Sequence, residues 1–334
     1  MALGEFQLID RFFRPLDRPA GVARADMLLG VGDDGALLRV PSGQDLVAVL
    51  DTLVQGTHFL PGCAPRSIGH RALAVNLSDL AAMGATPAWA LLGLTLPAAD
   101  EALLQGMAEG LGQLAAEYGV ALVGGDTTAG PLALTVQAMG FVPPGQALQR
   151  RGARPGDLLC VSGTLGDSAA GLALERGAPG GLVADPALLQ HEQWLRQRFL
   201  FPQPRVALGQ ALRGLATACI DVSDGLAQDA GKLASASGCG LRLDVAQLPL
   251  SAALRARVGL AQARHWALTG GEDFELCFAL PPTRQDRLLQ LADAAGCALQ
   301  VIGRFEAEPG LRLVEGDQPL AWDATGFEHF TAGD

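Results

Sequence analysis

Six aspartates stand out in this chain because each lies in a short stretch that contains Gly, Ser or Thr. They are Asp34, Asp51, Asp79, Asp126, Asp221 and Asp224. Carboxylate oxygens are the ligands that Mg²⁺ prefers in proteins, and protein-bound Mg²⁺ commonly carries nucleotide phosphates. We therefore expect these carboxylates to converge on Mg²⁺ ions that hold a nucleoside triphosphate.

The stretch ALVGGDTT, residues 121–128, carries the clearest of these aspartates. Its apolar start predicts a buried strand, which the pattern indicates should end at Gly124 and Gly125, just before Asp126. Glycines let a ligand approach the backbone closely, and open α/β sheets bind ligands at the C-terminal ends of their strands. Metal or phosphate chemistry is favoured, and the alternative is a turn carboxylate that caps its own backbone.

The stretch DVSDG, residues 221–225, repeats the pattern of an apolar run, an acid and a glycine, followed by a predicted helix. Ser223 or Asp224 could simply be the N-cap of that helix. Two carboxylates three residues apart are more than a cap needs, so metal binding by Asp221 and Asp224 is the favoured interpretation.

Two common nucleotide motifs are excluded. Residues 30–35, GVGDDG, match G-x-G-x-x-G, but a strand rather than a helix is predicted next, over residues 36–40. A metal-binding loop is favoured there over a plain acidic turn. The only Gly-Lys pair, Gly231-Lys232, precedes Leu233 instead of Ser or Thr, so it is not a P-loop.

Four further features remain ambiguous on residue types alone. Residues 270–273, GGED, predict either a turn or a site, and His58 either contacts an anion or donates a structural hydrogen bond. Arg150 either pairs with phosphate or belongs to a solvated linker. The N-terminus of the helix predicted after residues 163–168 could hold an anion, which is the less favoured hypothesis.

Composition sets the class of the protein. With 334 residues, 49% apolar and 18% charged, the chain is globular and long enough for two domains. A net charge of −11 argues against nucleic acid or an anionic membrane as a main partner. No secretory h-region and no apolar run of about 18 residues is present, so we expect a cytoplasmic protein with reduced cysteines.

Strands alternate with helices along the chain, which predicts an α/β or α+β fold. Helices are expected over residues 5–13, 67–83 and 98–118. The segment 143–156, rich in Arg, Gly and Pro, is the expected boundary between domains 1–150 and 151–334. A Gly/Ala-rich loop is expected at 178–186.

These segments, taken in order, resemble the thiamine-monophosphate kinase family, within the superfamily that also includes aminoimidazole ribonucleotide synthetase and selenophosphate synthetase. The stretches that carry the resemblance are residues 4–6, 32–34, 51–54, 74–85, 124–128, 221–225, 270–276 and 326–330. The resemblance implies a two-domain aminoimidazole ribonucleotide synthetase-like fold with mixed sheets flanked by helices. Residues 1–150 would bind ATP and Mg²⁺ and form a homodimer, and residues 151–334 would complete the nucleotide and substrate site between the two domains.

The activity implied by the resemblance is ATP-dependent phosphorylation of thiamine monophosphate to thiamine diphosphate, assisted by several Mg²⁺ ions. All six aspartates would be metal ligands, with Asp51, Asp126 and Asp221 the catalytic ones. The residues expected to contact ATP are Gly125, Asp126, Arg150 and Ser223. The residues expected to hold thiamine monophosphate are His58, Glu272 and Phe327. Val49 and Leu50 replace hydroxyl residues that are common in the family, so a metal contact from a hydroxyl is lost there.

Three rival functions remain open on sequence alone. The chain could phosphorylate a different acceptor, or it could be a metal-dependent phosphohydrolase, since clustered acids suit both reactions. It could also be a weakly catalytic protein that only binds ATP or thiamine phosphates, and the Val49-Leu50 departure is the feature that favours this.

Overall fold

The computed structural model describes residues 4–18, 21, 23–177, 182 and 185–321. The chain forms two compact units, the first made of residues 1–80 and 85–145 and the second of residues 81–84 and 146–334. Within the described ranges, no helix is long and apolar enough to cross a membrane. The six cysteines are all free thiols, four of them buried.

The first unit contains two sheets and two long helices. Its strands are β1 Met27–Leu29, β2 Leu37–Leu38, β3 Asp45–Val54, β4 Thr86–Leu96, β5 Ala121–Ala129 and β6 Ala133–Val142. Its helices are α1 Glu5–Leu8, which continues as a π-helical turn Ile9–Phe13, α2 Pro65–Ala82 and α3 Glu101–Tyr118. The four-stranded sheet has the order β3-β6-β4-β5, with only β4 and β5 parallel, and β1 pairs with β2.

Helix α3 has clear boundaries in the sequence. The Asp100 side chain accepts hydrogen bonds from the backbone N–H groups of Ala102 and Leu103, which satisfies two otherwise unpaired donors at the N-terminus. Gly119 ends the helix in the left-handed conformation, with φ of 66°. The predicted start at residue 98 was therefore a few residues early, and Asp100 is the physical reason.

The outer face of the four-stranded sheet is apolar along much of its length. Trp89 and Phe141 pack edge to face there, with ring centroids 4.9 Å apart. Met27 and Leu38 from the β1–β2 pair also pack against this cluster. Further along the face, Leu50 of the edge strand β3 remains 60% exposed.

The second unit is built on one seven-stranded mixed sheet with the order β13-β12-β9-β11-β7-β10-β8. Its strands are β7 Leu158–Ser162, β8 Ala218–Asp221, β9 Gly240–Asp244, β10 Leu276–Leu280, β11 Leu299–Glu306, β12 Gly310–Glu315 and β13 Gln318–Pro319. Its helices are α4 Asp167–Arg176, α5 Leu189–Leu200, α6 Val206–Ala211, α7 Leu226–Ala236, α8 Ala252–Thr269 and α9 Leu288–Ala295. Leu241 and Leu243 of β9 and Leu226 and Leu233 of α7 belong to the core between this sheet and its helices.

The predicted end of the strand before Asp126 was wrong. Strand β5 continues through Gly124 and Gly125 to Ala129, so Asp126 lies within the strand and not beyond its C-terminal end. The register slips by one residue near Val123, after which Thr127 and Thr128 pair with β4. β-Branched residues favour strands, and here they outweigh the interruption that two glycines predict.

Helices α2 and α3 pack with their backbones in direct contact through two glycines. A Cβ atom at Gly110 would lie 1.9 Å from the carbonyl oxygen of Arg66, and one at Gly69 would lie 1.9 Å from that of Met107. Each distance is far below a van der Waals contact, so a side chain at either position would push the helices apart.

We expect Gly110→Ala to lower the free energy of unfolding by roughly 1–3 kcal/mol, the usual cost of overpacking. The matched control is Gly231→Ala in α7, where the added Cβ meets nothing within 4 Å. That variant should equal or exceed the wild type, because alanine has the higher helix propensity. Urea denaturation measures both, and an unchanged Gly110→Ala protein would contradict the close helix contact.

Candidate functional site

Strands β3 and β5 position the predicted site residues of the first unit's sheet. The pairing register places Asp51 of β3 in one row with Val136 of β6, Leu92 of β4 and Gly125 of β5. The next row across the sheet contains Thr52, Thr135, Gly93 and Asp126. Asp51 is half-buried and Asp126 is exposed. The two carboxylates thus lie in adjacent rows, whose side chains point to opposite faces of a sheet, so the pairing does not by itself bring them together.

Gly125 is required by the sheet itself. Its φ of 155° is unusual for a residue with a side chain, and a Cβ there would lie 1.9 Å from the carbonyl oxygen of Leu92. The sequence suggested that this glycine leaves space for a ligand. The structure shows that it leaves space for strand β4, and its proposed contact with ATP remains a prediction.

His58 lies in the turn that follows β3. Its Nδ1 accepts a hydrogen bond of 3.0 Å from the backbone N–H of Val54. A nitrogen that accepts carries no proton, so this contact places the ring proton on Nε2. The ring therefore has a fixed orientation and a defined donor.

The other two first-unit aspartates differ in exposure. Asp79 is the one residue of the 71–80 segment of α2 that is not fully buried. Asp34 is exposed in the turn before β2, and its backbone N–H donates to Asp33 Oδ1. A strand and not a helix follows this turn, which agrees with the exclusion of a dinucleotide fingerprint.

The second unit holds Asp221 at the end of β8 and Ser223 and Asp224 on the turn that leads to α7, as the sequence predicted. The carboxylate of Asp229, one turn into α7, accepts hydrogen bonds from the backbone N–H groups of Ser223 at 3.0 Å and Asp224 at 2.9 Å. Asp229 is almost fully buried, and burial raises its pKa. This carboxylate fixes the backbone of the turn.

A second turn, residues 270–274, is hydrogen-bonded to the first. The backbone N–H groups of Glu272 and Phe274 donate to the carbonyl oxygens of Ser223 and Val222, at 2.8 and 2.9 Å. The backbone N–H of Val222 donates to the carbonyl oxygen of Glu275 at 2.8 Å. The ambiguous GGED segment is therefore part of the same local structure as Asp221 and Asp224.

Two residues of this second turn have a strained backbone. Glu272 has φ of 67° and Phe274 has φ of 49°, and no other non-glycine residue in the described ranges has positive φ. Such conformations cost roughly 1–2 kcal/mol each and persist where the surroundings impose them. Strained backbone is common at binding sites.

Two buried acidic side chains hold the strained turn in place. Asp273 accepts hydrogen bonds from the backbone N–H groups of Gly166, at 2.6 Å, and Ser168, at 3.1 Å, at the start of α4. Burial raises the pKa of Asp273 to about 8. These bonds place the Asp273 side chain at the helix N-terminus for which the sequence suggested an anion.

Glu275 forms the second anchor. It pairs with Arg198 at 2.7 Å and with Arg205 at 2.5 Å, and Ser162 Oγ donates to it. Burial alone would raise the pKa of Glu275, but the two guanidinium groups outweigh it and hold that pKa below its usual value. The carboxylate is therefore charged and fully paired.

Two predicted site residues, Arg150 and Phe327, are not part of the hydrogen-bonded turns described above. The Arg150 side chain is exposed, and its carbonyl oxygen accepts from Ser237 Oγ at 3.3 Å. Phe327, and most of the loop predicted at 178–186, lie outside the described residues.

The structure divides the six aspartates between the two units, four in the first and two in the second. Among the residues it describes, no three His, Cys, Asp or Glu side chains gather closely enough to hold a metal ion. Asp221 and Asp224 nevertheless lie three residues apart on one turn. Mg²⁺ in nucleotide sites typically takes only one or two carboxylates, together with phosphate oxygens and water.

Comparison with known proteins identifies the family. Residues 32–142 match the model of the AIR synthase related protein N-terminal domain, and residues 154–316 match that of its C-terminal domain. The chain is 48% identical over 331 residues to the thiamine-monophosphate kinase of Escherichia coli (strain K12), with 99% of each chain covered. The chain belongs to the thiamine-monophosphate kinase family.

Solved structures agree with this assignment. The thiamine-monophosphate kinase of Stenotrophomonas maltophilia K279a is 46% identical, with a TM-score of 0.85 over 94% of this chain and 97% of that one. A structure described as AaThiL complexed with AMPPCP and TMP is 32% identical, with a TM-score of 0.75 over 98% and 97%. The predicted two-domain fold with mixed sheets flanked by helices is confirmed.

Sequence reasoning missed the residues that support the site. Asp229 and Lys232 were not considered site residues, and Asp273 and Glu275 were seen only as part of a motif. A weak signal was present, because an aspartate on the apolar side of a predicted helix needs a partner. The partners of Asp273 and Glu275 lie up to 113 residues away and cannot be read from local spacing.

Replacing Glu272 separates backbone strain from side-chain function. We expect Glu272→Gly to be more stable than Glu272→Ala by about 1 kcal/mol, because glycine adopts positive φ without steric cost. Both variants lack the carboxylate, so a difference in stability between them reports on the backbone alone. Urea denaturation measures the first difference, and equal stability of the two variants would show that the turn stores no strain.

Proposed function

We propose that this chain transfers the γ-phosphoryl group of ATP to thiamine monophosphate, producing thiamine diphosphate and ADP. The observation that carries the proposal is the direct hydrogen bonding between the 221–225 and 270–274 turns, which combines two motifs of the family in one local structure. Similarity to thiamine-monophosphate kinases over 99% of the chain supports the same reaction. The AaThiL complex with AMPPCP, an ATP analogue, and TMP supports these two substrates.

The main difficulty of this reaction is electrostatic. The acceptor is already a phosphate anion, so it needs no strong general base, but it must approach a second polyanion. Two unit charges about 4 Å apart repel by roughly 4 kcal/mol in a partly shielded site. Bound Mg²⁺ would neutralise charge on both phosphates and on the leaving ADP. Direct in-line transfer therefore needs accurate positioning more than proton transfer.

The chain's own residues would perform that positioning. The aspartate set, led by Asp51, Asp126 and Asp221, would hold the metal ions. The residues that would contact ATP are Gly125, Asp126, Arg150 and Ser223. His58 and Glu272, together with Phe327, would hold thiamine monophosphate, since a cationic thiazolium suits a carboxylate and an aromatic face.

A homodimer formed through the first unit is part of the proposal, as is a cytoplasmic location. Leu46 and Leu50 on the outer sheet face are 46% and 60% exposed, and Leu28, Leu29 and Leu37 on the adjacent ribbon are also exposed. Clustered exposed apolar side chains favour a protein partner, and a second copy fits the family.

Sedimentation should give twice the chain mass of 34.5 kDa, and the mass of a single chain at micromolar concentration would reject the dimer.

The function is tested by incubating the purified protein with ATP, Mg²⁺ and thiamine monophosphate. Thiamine diphosphate is quantified by chromatography after oxidation to its fluorescent thiochrome. Equal amounts of thiamine diphosphate and ADP, both abolished by EDTA, are expected. ADP without thiamine diphosphate would indicate hydrolysis or another acceptor, and substrate binding without either product would indicate a binding protein.

Asp126→Asn should reduce turnover by about a hundred-fold or more, because it removes a charge that the metal ions require. Asp126 is exposed, so thermal stability should change little. Asp45→Asn is the matched control, since Asp45 is an exposed aspartate at the start of β3 in the same sheet. Near-normal turnover of Asp126→Asn would remove this residue from the metal site.

A further inference from the structure

Lys232 has an unusual place in this chain. It is the only lysine among 24 Lys and Arg residues, so arginine supplies every other basic side chain. It lies in α7, eight residues after Asp224 and three after Asp229. The single lysine ammonium of the chain is thus located at one of the two acidic turns.

Lys232 Nζ bridges two carboxylates. It lies 2.5 Å from Asp224 Oδ2 and 2.9 Å from Asp229 Oδ1. The two acids differ sharply in environment, because the side chain of Asp224 is 32% exposed and that of Asp229 is 1% exposed. Lys232 itself is 36% exposed, so its contact with Asp224 faces solvent and its contact with Asp229 faces the core.

The ammonium of Lys232 compensates the buried carboxylate of Asp229. One oxygen of this buried carboxylate accepts two backbone N–H groups, and the other accepts Lys232. A buried carboxylate without a cation is costly, so this contact stabilises the turn. Asp224, in contrast, is partly solvated and does not depend on the ammonium for compensation.

The choice of lysine over arginine is informative. An ammonium is a compact point charge on a flexible four-carbon stem, whereas a guanidinium is a planar fork that binds a carboxylate in a fixed bidentate geometry. A flexible ammonium can leave one carboxylate and stay with another. The one lysine of the chain therefore occurs where a movable charge is useful.

We propose that Lys232 is a resident cation that competes with a divalent metal ion for Asp224. The proposal rests on the proposed function, in which Asp224 is a metal ligand, and adds that the metal must displace the ammonium from Asp224. Asp229 would keep the displaced ammonium nearby. Without metal, Lys232 would prevent charge repulsion at the turn, and it would lower the affinity of Asp224 for the ion.

The single lysine allows a direct test. Protein labelled with ¹³C at the lysine ε carbon gives one side-chain ε signal, which belongs to Lys232. Titration with Mg²⁺ alone should shift this signal in a saturable way, and Na⁺ at equal ionic strength should not. In Asp224→Asn the Mg²⁺-dependent shift should be absent.

A second experiment measures the competition itself. Mn²⁺ binding, followed by the electron paramagnetic resonance signal of the free ion, should be roughly ten-fold tighter in Lys232→Met than in the wild type. Arg242→Met is the matched control, because it removes a positive charge from the exposed Arg242–Asp317 pair in the same unit. The gain should disappear in the double variant Lys232→Met/Asp224→Asn.

The outcomes separate the two proposals. If wild-type protein and Lys232→Met bind Mn²⁺ equally, or if saturating Mg²⁺ leaves the lysine signal unmoved, the competition is rejected while the proposed function stands. If neither protein binds Mn²⁺ and no thiamine diphosphate forms, both are rejected.

Loss of the cation beside Asp229 could destabilise Lys232→Met, so a second variant is needed. Lys232→Met/Asp229→Asn replaces the pair with neutral groups and keeps an oxygen that can accept the two N–H groups of the turn. This variant should also bind Mn²⁺ more tightly than the wild type, and unchanged affinity in a folded protein would reject the competition.

Discussion

The hydrogen bonding between the 221–225 and 270–274 turns is the constraint on which the second unit's part of the site depends. Two backbone bonds join the turns and a third joins Val222 to Glu275, so neither turn can move independently. Each turn also has its own buried anchor. Asp229 fixes the first, and Asp273, bound to the start of α4, fixes the second. Ser223, Asp224 and Glu272 are therefore held at a fixed spacing before any ligand arrives.

This preorganisation has an energetic cost that the core offsets. Two non-glycine residues with positive φ cost roughly 2–4 kcal/mol together, and three buried acidic side chains lose their hydration. The compensation is local, since each of these side chains accepts hydrogen bonds from at least two donors. Asp229 accepts from two backbone N–H groups and from Lys232, and Asp273 accepts from two backbone N–H groups. Glu275 pairs with Arg198 and Arg205. Rigid sites that position charged groups are what phosphoryl transfer requires.

The sequence was sufficient for the fold class and for some of the local structure that carries the aspartates, because both depend on local patterns. The strand, turn and helix around Asp221 are an example, since apolar run, glycine and helical spacing all agree. The sequence was insufficient where pairing between distant segments determines the local structure. Strand β5 crosses Gly124 and Gly125 because β4 pairs with Thr127 and Thr128. Gly166 and Asp273 are 107 residues apart, and only the folded sheet brings them together.

The bridging position of Lys232 also determines how the protein would respond to acylating chemistry. Reagents that acylate lysine, whether crosslinkers, biotin esters or metabolic acyl donors, find one side-chain target in the entire chain. An amide at that nitrogen would remove the charge shared by Asp224 and Asp229. Immobilisation of this protein through a side-chain amine would therefore act on the acidic turn itself, and attachment through an engineered cysteine would leave the turn intact.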